Sequence, residues 1–300
     1  MTLLVVGATG LLGGEVCRQA VAAGRRVVGT HHRTAGAVPD VTWTPLDVRD
    51  RSAVLALAGR VRPTAVVNTA YRYDDWAVTA DGAAHVALAA ASVGARLVHV
   101  SSDAIHSGRS TPYADDEPPS PVFAYGAAKA AAETAVRLVD PGAVLVRTSL
   151  IVGDENSEQV RLCLAAATDG GPRLFADQIR CPLGVEDLAS AVLELVDHPV
   201  AGPLNVCGPE PLSRVELGVL VARRHGIDPA RLRTGTIASS GRPSPAEVRL
   251  DPARAVALLR TRLRPVSTYL TPGQPSRPPG DPRDQGVRAP TRRRHARRTP

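Results

Sequence analysis

The segment TLLVVGATGLLGGEV, residues 2–16, constrains the fold more than any other stretch. Five residues without polar alternation read as a strand buried on both faces. They run straight into Gly7, Gly10 and Gly13, and LLGGEVCRQAVAAG then carries helical apolar spacing up to Gly24. Glycines at three-residue intervals let the chain turn tightly and leave room for a ligand to approach the backbone. The free N–H groups at the start of the following helix attract phosphate. The pattern predicts a dinucleotide site formed by Gly7, Thr9, Gly10, Leu11, Leu12 and Gly13, although a plain structural turn would use the same glycines.

RRVVGT, VTWTPLD, PTAVVNTA, ARLVHVSS and GAVLVRTSLIV repeat the strand signature, with Ala-rich helical segments near 50–60, 78–93 and 121–139 between most of them. Strands alternating with helices imply right-handed crossovers, and so an α/β fold with a doubly wound parallel sheet and its ligand crevice at the carboxyl ends of the strands. After about residue 153 the rhythm loosens into helical segments near 155–169, 186–198, 211–225 and 251–263. Residues 1–153 are therefore expected to be mainly the Rossmann part, and 154–271 a smaller substrate-covering part interleaved with the sheet. The segment 272–300 has no periodicity and is rich in Pro and Arg, so it is expected to be disordered.

That tail holds +6 of the chain's net charge of +7, which leaves the folded part close to neutral and argues against nucleic acid as its ligand. No run of about 18 apolar residues is present, so no membrane span is expected. No basic segment precedes TLLVVG and no small-residue cleavage site follows it, so the expected location is the cytoplasm. Cys17, Cys163, Cys181 and Cys207 have no metal-ligand spacing, and no metal site is expected.

The cofactor type turns on the end of the second strand. In VVGTHHRT no carboxylate lies between Gly29 and Val38, where an NAD site usually places one, while His31, His32 and Arg33 are present. NADP(H) is the preferred reading, with Arg33 as the leading phosphate contact and NAD(H) as the alternative. A solvated basic loop would carry the same residues.

Lys129 is the only lysine beside 35 arginines, and it stands four residues after Tyr125 in YGAAK. On a helix that spacing puts both side chains on one face. With five tyrosines in 300 residues, a single lysine lands there by chance about once in sixty. A neighbouring ammonium would lower the phenol's pKa and let Tyr125 act as a general acid toward a carbonyl. Ser102, at the end of the strand in LVHVSSD, is placed to bond the carbonyl oxygen, though serine is also a common turn residue.

GATGLLGGEV, LDVRD, VVNTA, VHVSSD, PYADDEPPSPVFAYGAAKAAAE and VRTSLIVG, in this order, resemble the extended short-chain dehydrogenase/reductases. More narrowly, they resemble the dTDP-4-dehydrorhamnose reductase family, which also includes the regulatory β subunit of methionine adenosyltransferase. The resemblance covers about residues 2–270. It implies a catalytic triad of Ser102, Tyr125 and Lys129, with Asp47 and Val48 at the adenine. It further implies Thr69, Ala70 and Tyr71 beside the cofactor phosphates and ribose, and Asp103 beside the substrate. Ala104, Ile105 and His106 replace the family's Tyr, Val and Phe, Thr79 stands for a helix asparagine, and Leu150 for a tryptophan. The implied function is NADP(H)-dependent reduction of a keto group on a nucleotide-activated sugar, and the alternative is a non-catalytic dinucleotide-binding regulatory subunit. A small nucleotide-sugar is the expected partner, and a homodimer is compatible with the resemblance.

Overall fold

The structure, a computed structural model, describes residues 1–155, 157–241 and 243–271, so the Pro/Arg-rich segment 272–300 lies outside the described residues. The first half alternates strand and helix except that β3 follows β2 directly: β1 (Thr2–Val6), α1 (Leu11–Ala22), β2 (Arg26–His31), β3 (Val41–Pro45), α2 (Arg51–Val61), β4 (Ala65–Asn68), α3 (Gly82–Ser92), β5 (Arg96–Ser102), α4 (Ala124–Val139) and β6 (Val144–Thr148). The second half uses shorter pieces: β7 (Ile151–Val152), α5 (Glu158–Ala165), β8 (Leu174–Phe175), β9 (Ile179–Arg180), β10 (Leu183–Gly184), α6 (Val185–Val196), β11 (Gly202–Asn205), β12 (Leu212–Ser213) and α7 (Arg214–Arg224). Two short helices, α8 (Ala253–Leu258) and α9 (Val266–Tyr269), close the described chain.

Seven strands form one parallel sheet in the order β11-β6-β5-β4-β1-β2-β3. The order reverses at β1, between β4 and β2, which opens a crevice at the carboxyl ends there. Alternate residues of each strand feed the two faces. Leu3, Val5, Val67 and Val98 pack against Val16 and Ala20 of α1 and Leu188 and Val192 of α6. Leu4, Val6, Val66 and Leu97 pack against Leu57 of α2, Val86 and Ala90 of α3 and Val136 of α4. A separate apolar cluster joins α5 and α7 through Val160, Cys163, Leu217 and Val221, away from the sheet.

Local signals set several helix ends. Asp50 caps α2 by accepting from the Ala53 N–H at 3.0 Å, and Ser213 and Glu216 form a reciprocal capping box on α7. Two expected helices are shorter than their apolar spacing implied. The segment expected at 155–169 is helical only over α5, where turn bonds from Thr168 to Ala165 and from Gly171 to Thr168 end it. The segment expected at 251–263 is helical only over α8: Leu259 is already extended, and Pro265 starts α9. Ahead of α3, residues Ala77–Asp81 form one wide π-turn. No helix among the described residues is long and apolar enough to cross a membrane.

Candidate active site

The glycine turn and the end of β5 both lie along the carboxyl edge of the sheet. After β1, Gly7 takes φ +82°, a conformation that L side chains rarely adopt. A Cβ there would also sit 2.7 Å from the Ala70 nitrogen, and one on Gly13 would sit 2.3 Å from the Gly7 carbonyl oxygen. The loop after β4 is pinned to this turn because the Thr69 hydroxyl donates to Val6 O at 3.0 Å and Gly7 O at 3.2 Å. Gly10 is the extended N-cap of α1, with no side-chain cap and no acidic residue in the first turn. The helix start is thus left open to an anion.

Two cavities flank this turn and share Gly10, Thr69 and Tyr71. One, of about 270 Å³, is lined by Gly7, Thr9, His31, His32, Asp47, Val48, Arg49 and Ala70, among others. The other, of about 460 Å³, takes in Leu11, Leu12, Gly13, Ser102, Asp103, Tyr125 and Lys129, and extends to Arg161, Gln178, Arg180 and Arg214. Of the residues expected to hold the cofactor or carry the chemistry, only Arg33 lines neither cavity. The strand ends at His31, and two residues further on the exposed Arg33 side chain has passed the rim. His31 and His32 occupy the rim instead, together with Arg49 from beyond β3. Arg49 donates to both Asp47 oxygens at 2.6–3.1 Å, and these bonds hold the Asp47 carboxyl down at about 2.

In the larger cavity the sheet and α4 bring Ser102, Tyr125 and Lys129 together. Ser102 ends β5, and its hydroxyl accepts from the Ala104 N–H at 3.2 Å while donating to Asp103 Oδ1 at 3.3 Å. Asp103 is buried, takes a 2.6 Å bond from the Ser149 hydroxyl and lies 3.6 Å from Arg180 Nε. Its charge is thereby already matched on the protein side. Lys129 is buried, donates from Nζ to Val100 O at 2.9 Å and lies 5.3 Å from the centre of the Tyr71 ring. Burial lowers its pKa to about 8, against the opposing pull of Glu133 one turn further along α4. His99, equally buried, is pushed down to about 3 by burial and then by the Lys129 charge, so it is neutral. Its Nδ1 lies 3.2 Å from the Asn68 amide nitrogen, whose oxygen accepts from Ala70 N–H, so Nδ1 is the acceptor.

Tyr125 departs from the expectation that Lys129 would lower its pKa. Burial raises it above the ordinary phenol value, Tyr71, Asp103 and Tyr73 add to that, and only the Ser102 hydroxyl opposes them. The physical reason is that the Lys129 ammonium is engaged with Val100 O rather than held on the phenol. A raised pKa keeps Tyr125 protonated and therefore able to donate.

Several site residues went unrecognised in the sequence. Arg161, Arg180 and Arg214 converge on the far end of the cleft. Arg180 donates to the Ile179, Pro245 and Ala246 carbonyls, and Arg214 bonds Gln178 and Gln159. Burial, then the neighbouring Arg180 charge, lowers Arg214 to about 10. With 35 arginines in the chain, none of these stood out. Tyr73 and Phe123 were equally unmarked, and both line the cleft.

The profile of the RmlD substrate binding domain matches residues 1–268. The chain belongs to this family. Proteins similar to it include a probable dTDP-4,6-dihydroxy-2-methyloxan-3-one 4-ketoreductase of Streptomyces antibioticus, 34% identical over 82% of this chain and 84% of that protein. The dTDP-4-dehydrorhamnose reductase of Mycolicibacterium smegmatis is 31% identical over 81% of this chain and 75% of its own length. Among solved structures, a dTDP-4-dehydrorhamnose reductase from Clostridium acetobutylicum superposes with a TM-score of 0.77 at 25% identity, covering 90% of this chain and 97% of that one.

Lys129 sets a stability prediction with a definite sign. Its folded pKa lies below the unfolded reference value of 10.5, so the ammonium is disfavoured by folding. That cost is present in full below about pH 8 and fades as the pH rises toward 10.5. The shift corresponds to roughly 3 kcal/mol, offset by about 1 kcal/mol for the lost bond to Val100 O. Lys129→Met is therefore expected to raise the urea midpoint at pH 7, by the equivalent of about 2 kcal/mol, while removing turnover. A lower midpoint than the parent protein's would contradict this.

Proposed function

We propose that this RmlD-family enzyme is an NADP(H)-dependent reductase of a keto group on a nucleotide-activated sugar. The observation that carries the reading is that Ser102, Tyr125 and Lys129 line one cleft that is continuous, through Gly10, Thr69 and Tyr71, with the glycine turn. The cradle fits a dinucleotide: Gly10 offers backbone without a side chain at an uncapped helix start, and Asp47, Val48, Ala70 and Tyr71 wall the smaller cavity. His31, His32 and Arg49 stand where an extra ribose phosphate would be received, which favours NADP(H) over NAD(H).

When bound, the nicotinamide supplies the hydride. The chain's own residues do the rest. The Ser102 hydroxyl orients the carbonyl oxygen, and Tyr125, kept protonated by its surroundings, delivers a proton to that oxygen. Lys129 supplies a positive charge beside both as the oxygen becomes anionic. That role requires the ammonium form, so turnover is expected to decline as the pH rises past about 8. Arg161, Arg180 and Arg214 give the other end of the cleft a charge that suits a diphosphate, with Asp103 3.6 Å from Arg180 and Asp103 and Glu158 near enough to act on Arg214. Residues 154–271 would then act chiefly as the substrate-covering part, since Arg161, Gln178, Arg180 and Arg214 all come from it.

The test is NADPH against NADH oxidation over dTDP-, UDP- and GDP-keto sugars. Faster oxidation of NADPH with at least one of these ketones is the expected result. Cofactor binding without oxidation of either dinucleotide across the panel would sink the reductase reading and leave a regulatory, dinucleotide-binding role.

A further inference from the structure

The chain has only nine aromatic residues, and four of them, Tyr71, Tyr73, Phe123 and Tyr125, pack on one another at the mouth of the larger cavity. Tyr73 lies face to face on Tyr125, with ring centroids 4.8 Å apart and planes 21° from parallel. Phe123 stands 6.2 Å from Tyr125 and 6.3 Å from Tyr73, and Tyr71 stands 5.9 Å from Tyr125 on another side. Tyr73 is itself 63% exposed, so it contributes little to the core. An exposed aromatic ring laid flat on the proposed proton donor has no evident structural use.

The segment that carries Tyr73 is held in a specific way. Thr79, fully buried in the π-turn Ala77–Asp81, donates from its hydroxyl to Arg72 O at 2.7 Å and accepts from Arg72 N–H at 2.9 Å. One threonine thus fixes both backbone polar groups of the residue next to Tyr73. The wide turn that places Thr79 there is of a kind frequently found at functional sites.

We propose that Tyr73 is a positioning residue for proton transfer: its ring, fastened through Thr79 and Arg72 and flanked by Phe123, sets the orientation of the Tyr125 ring and keeps water from its face. The proposal rests on the reductase reading for its kinetic consequence only. Stacked rings attract through their offset quadrupoles and restrict each other's rotation. A donor displaced by about 1 Å loses on the order of 10²-fold in rate. The groups acting on the Tyr125 phenol are Ser102 at the end of β5, Asp103 next to it, and Tyr71 and Tyr73 from the loop after β4, while Lys129, on Tyr125's own helix, lines the same cavity. Removing the Tyr73 ring admits water to the phenol and leaves the others in place.

Tyr73→Ala is expected to lower kcat by about 10- to 100-fold, with NADPH affinity unchanged and KM changed by less than kcat. Tyr73→Phe keeps the stack and is expected to restore kcat. Thr79→Val should move kcat in the same direction as Tyr73→Ala, and Thr79→Ser should restore it. A change in KM alone would make Tyr73 a substrate contact and overturn the proposal, as would a Tyr73→Phe variant as slow as Tyr73→Ala. A second readout needs no substrate. Ultraviolet difference titration, referenced to the same protein carrying Tyr125→Phe, isolates the ionisation of the Tyr125 phenol. It should move to lower pH in Tyr73→Ala and stay in place in Tyr73→Phe. An unmoved titration in Tyr73→Ala overturns the proposal even if no sugar ketone is reduced, and a moved one sustains it whatever the substrate proves to be.

Discussion

Tyr125→Phe is expected to reduce kcat by about 10²- to 10⁴-fold, the usual share of a positioned general acid, while NADPH binds almost as before. The substitution removes one hydroxyl and keeps the ring, so the contacts with Tyr71, Tyr73 and Phe123 survive. Ser102 and Lys129 retain their own bonds to Asp103 and Val100. What disappears is the proton for the carbonyl oxygen. Steady-state rates with a reducible keto sugar, beside a fluorescence titration with NADPH, measure both halves of the claim. Full turnover in this variant would show that the proton comes from elsewhere. A loss of NADPH affinity as large as the loss of rate would show that Tyr125 acts mainly in binding.

The second large effect is on stability. Arg147 on β6 is 1% exposed and forms a two-bond pair with Glu133 of α4, at 2.8 and 3.1 Å. Its remaining nitrogen donates to the carbonyls of Asp115 and Glu117, both at 2.9 Å. The side chain therefore ties the helix that carries Tyr125 and Lys129 both to the sheet and to the loop ahead of it. Arg147→Met leaves the Glu133 carboxylate buried without its partner and two carbonyls without donors. Breaking one side of such a pair costs about 3–5 kcal/mol, a large share of a typical domain's stability. Urea unfolding followed by circular dichroism should show it. Replacing both partners, Glu133→Leu with Arg147→Met, should recover most of the loss, because the isolated buried charge is gone. If the double variant were no more stable than Arg147→Met alone, the loss would lie in the loop carbonyls rather than in the unpaired carboxylate.

Both predictions rest on α4, and α4 shows how unevenly the site was written in the chain. Tyr125 and Lys129 were legible because a four-residue interval on a helix is a local property, and because one lysine among 35 arginines stands out. Glu133 was not legible: its partner Arg147 lies on a strand, 14 residues away, and only packing brings the two together. The same holds for Arg180 and Arg214, which reach the cleft from β9 and α7 and look like any other arginine in the sequence. Arg33 is the converse case. Sequence position placed it beside the cofactor, but the chain leaves β2 at His31 and carries Arg33 past the rim.

The sequence by itself determined the strand–helix alternation, the glycine turn and the four-residue interval from Tyr125 to Lys129, because each depends on neighbours within a few residues or on a hydrophobic period. These were enough to dictate a parallel sheet with its crevice at the carboxyl edge. Only the tertiary structure decided which charges meet: that Lys129 is bonded to Val100 O, that Asp103 is matched by Arg180 and Ser149, and that Tyr73 lies on Tyr125. Such pairings, and the protonation states they set, depend on burial and on contacts between segments remote in sequence, for which a linear chain carries no local signal.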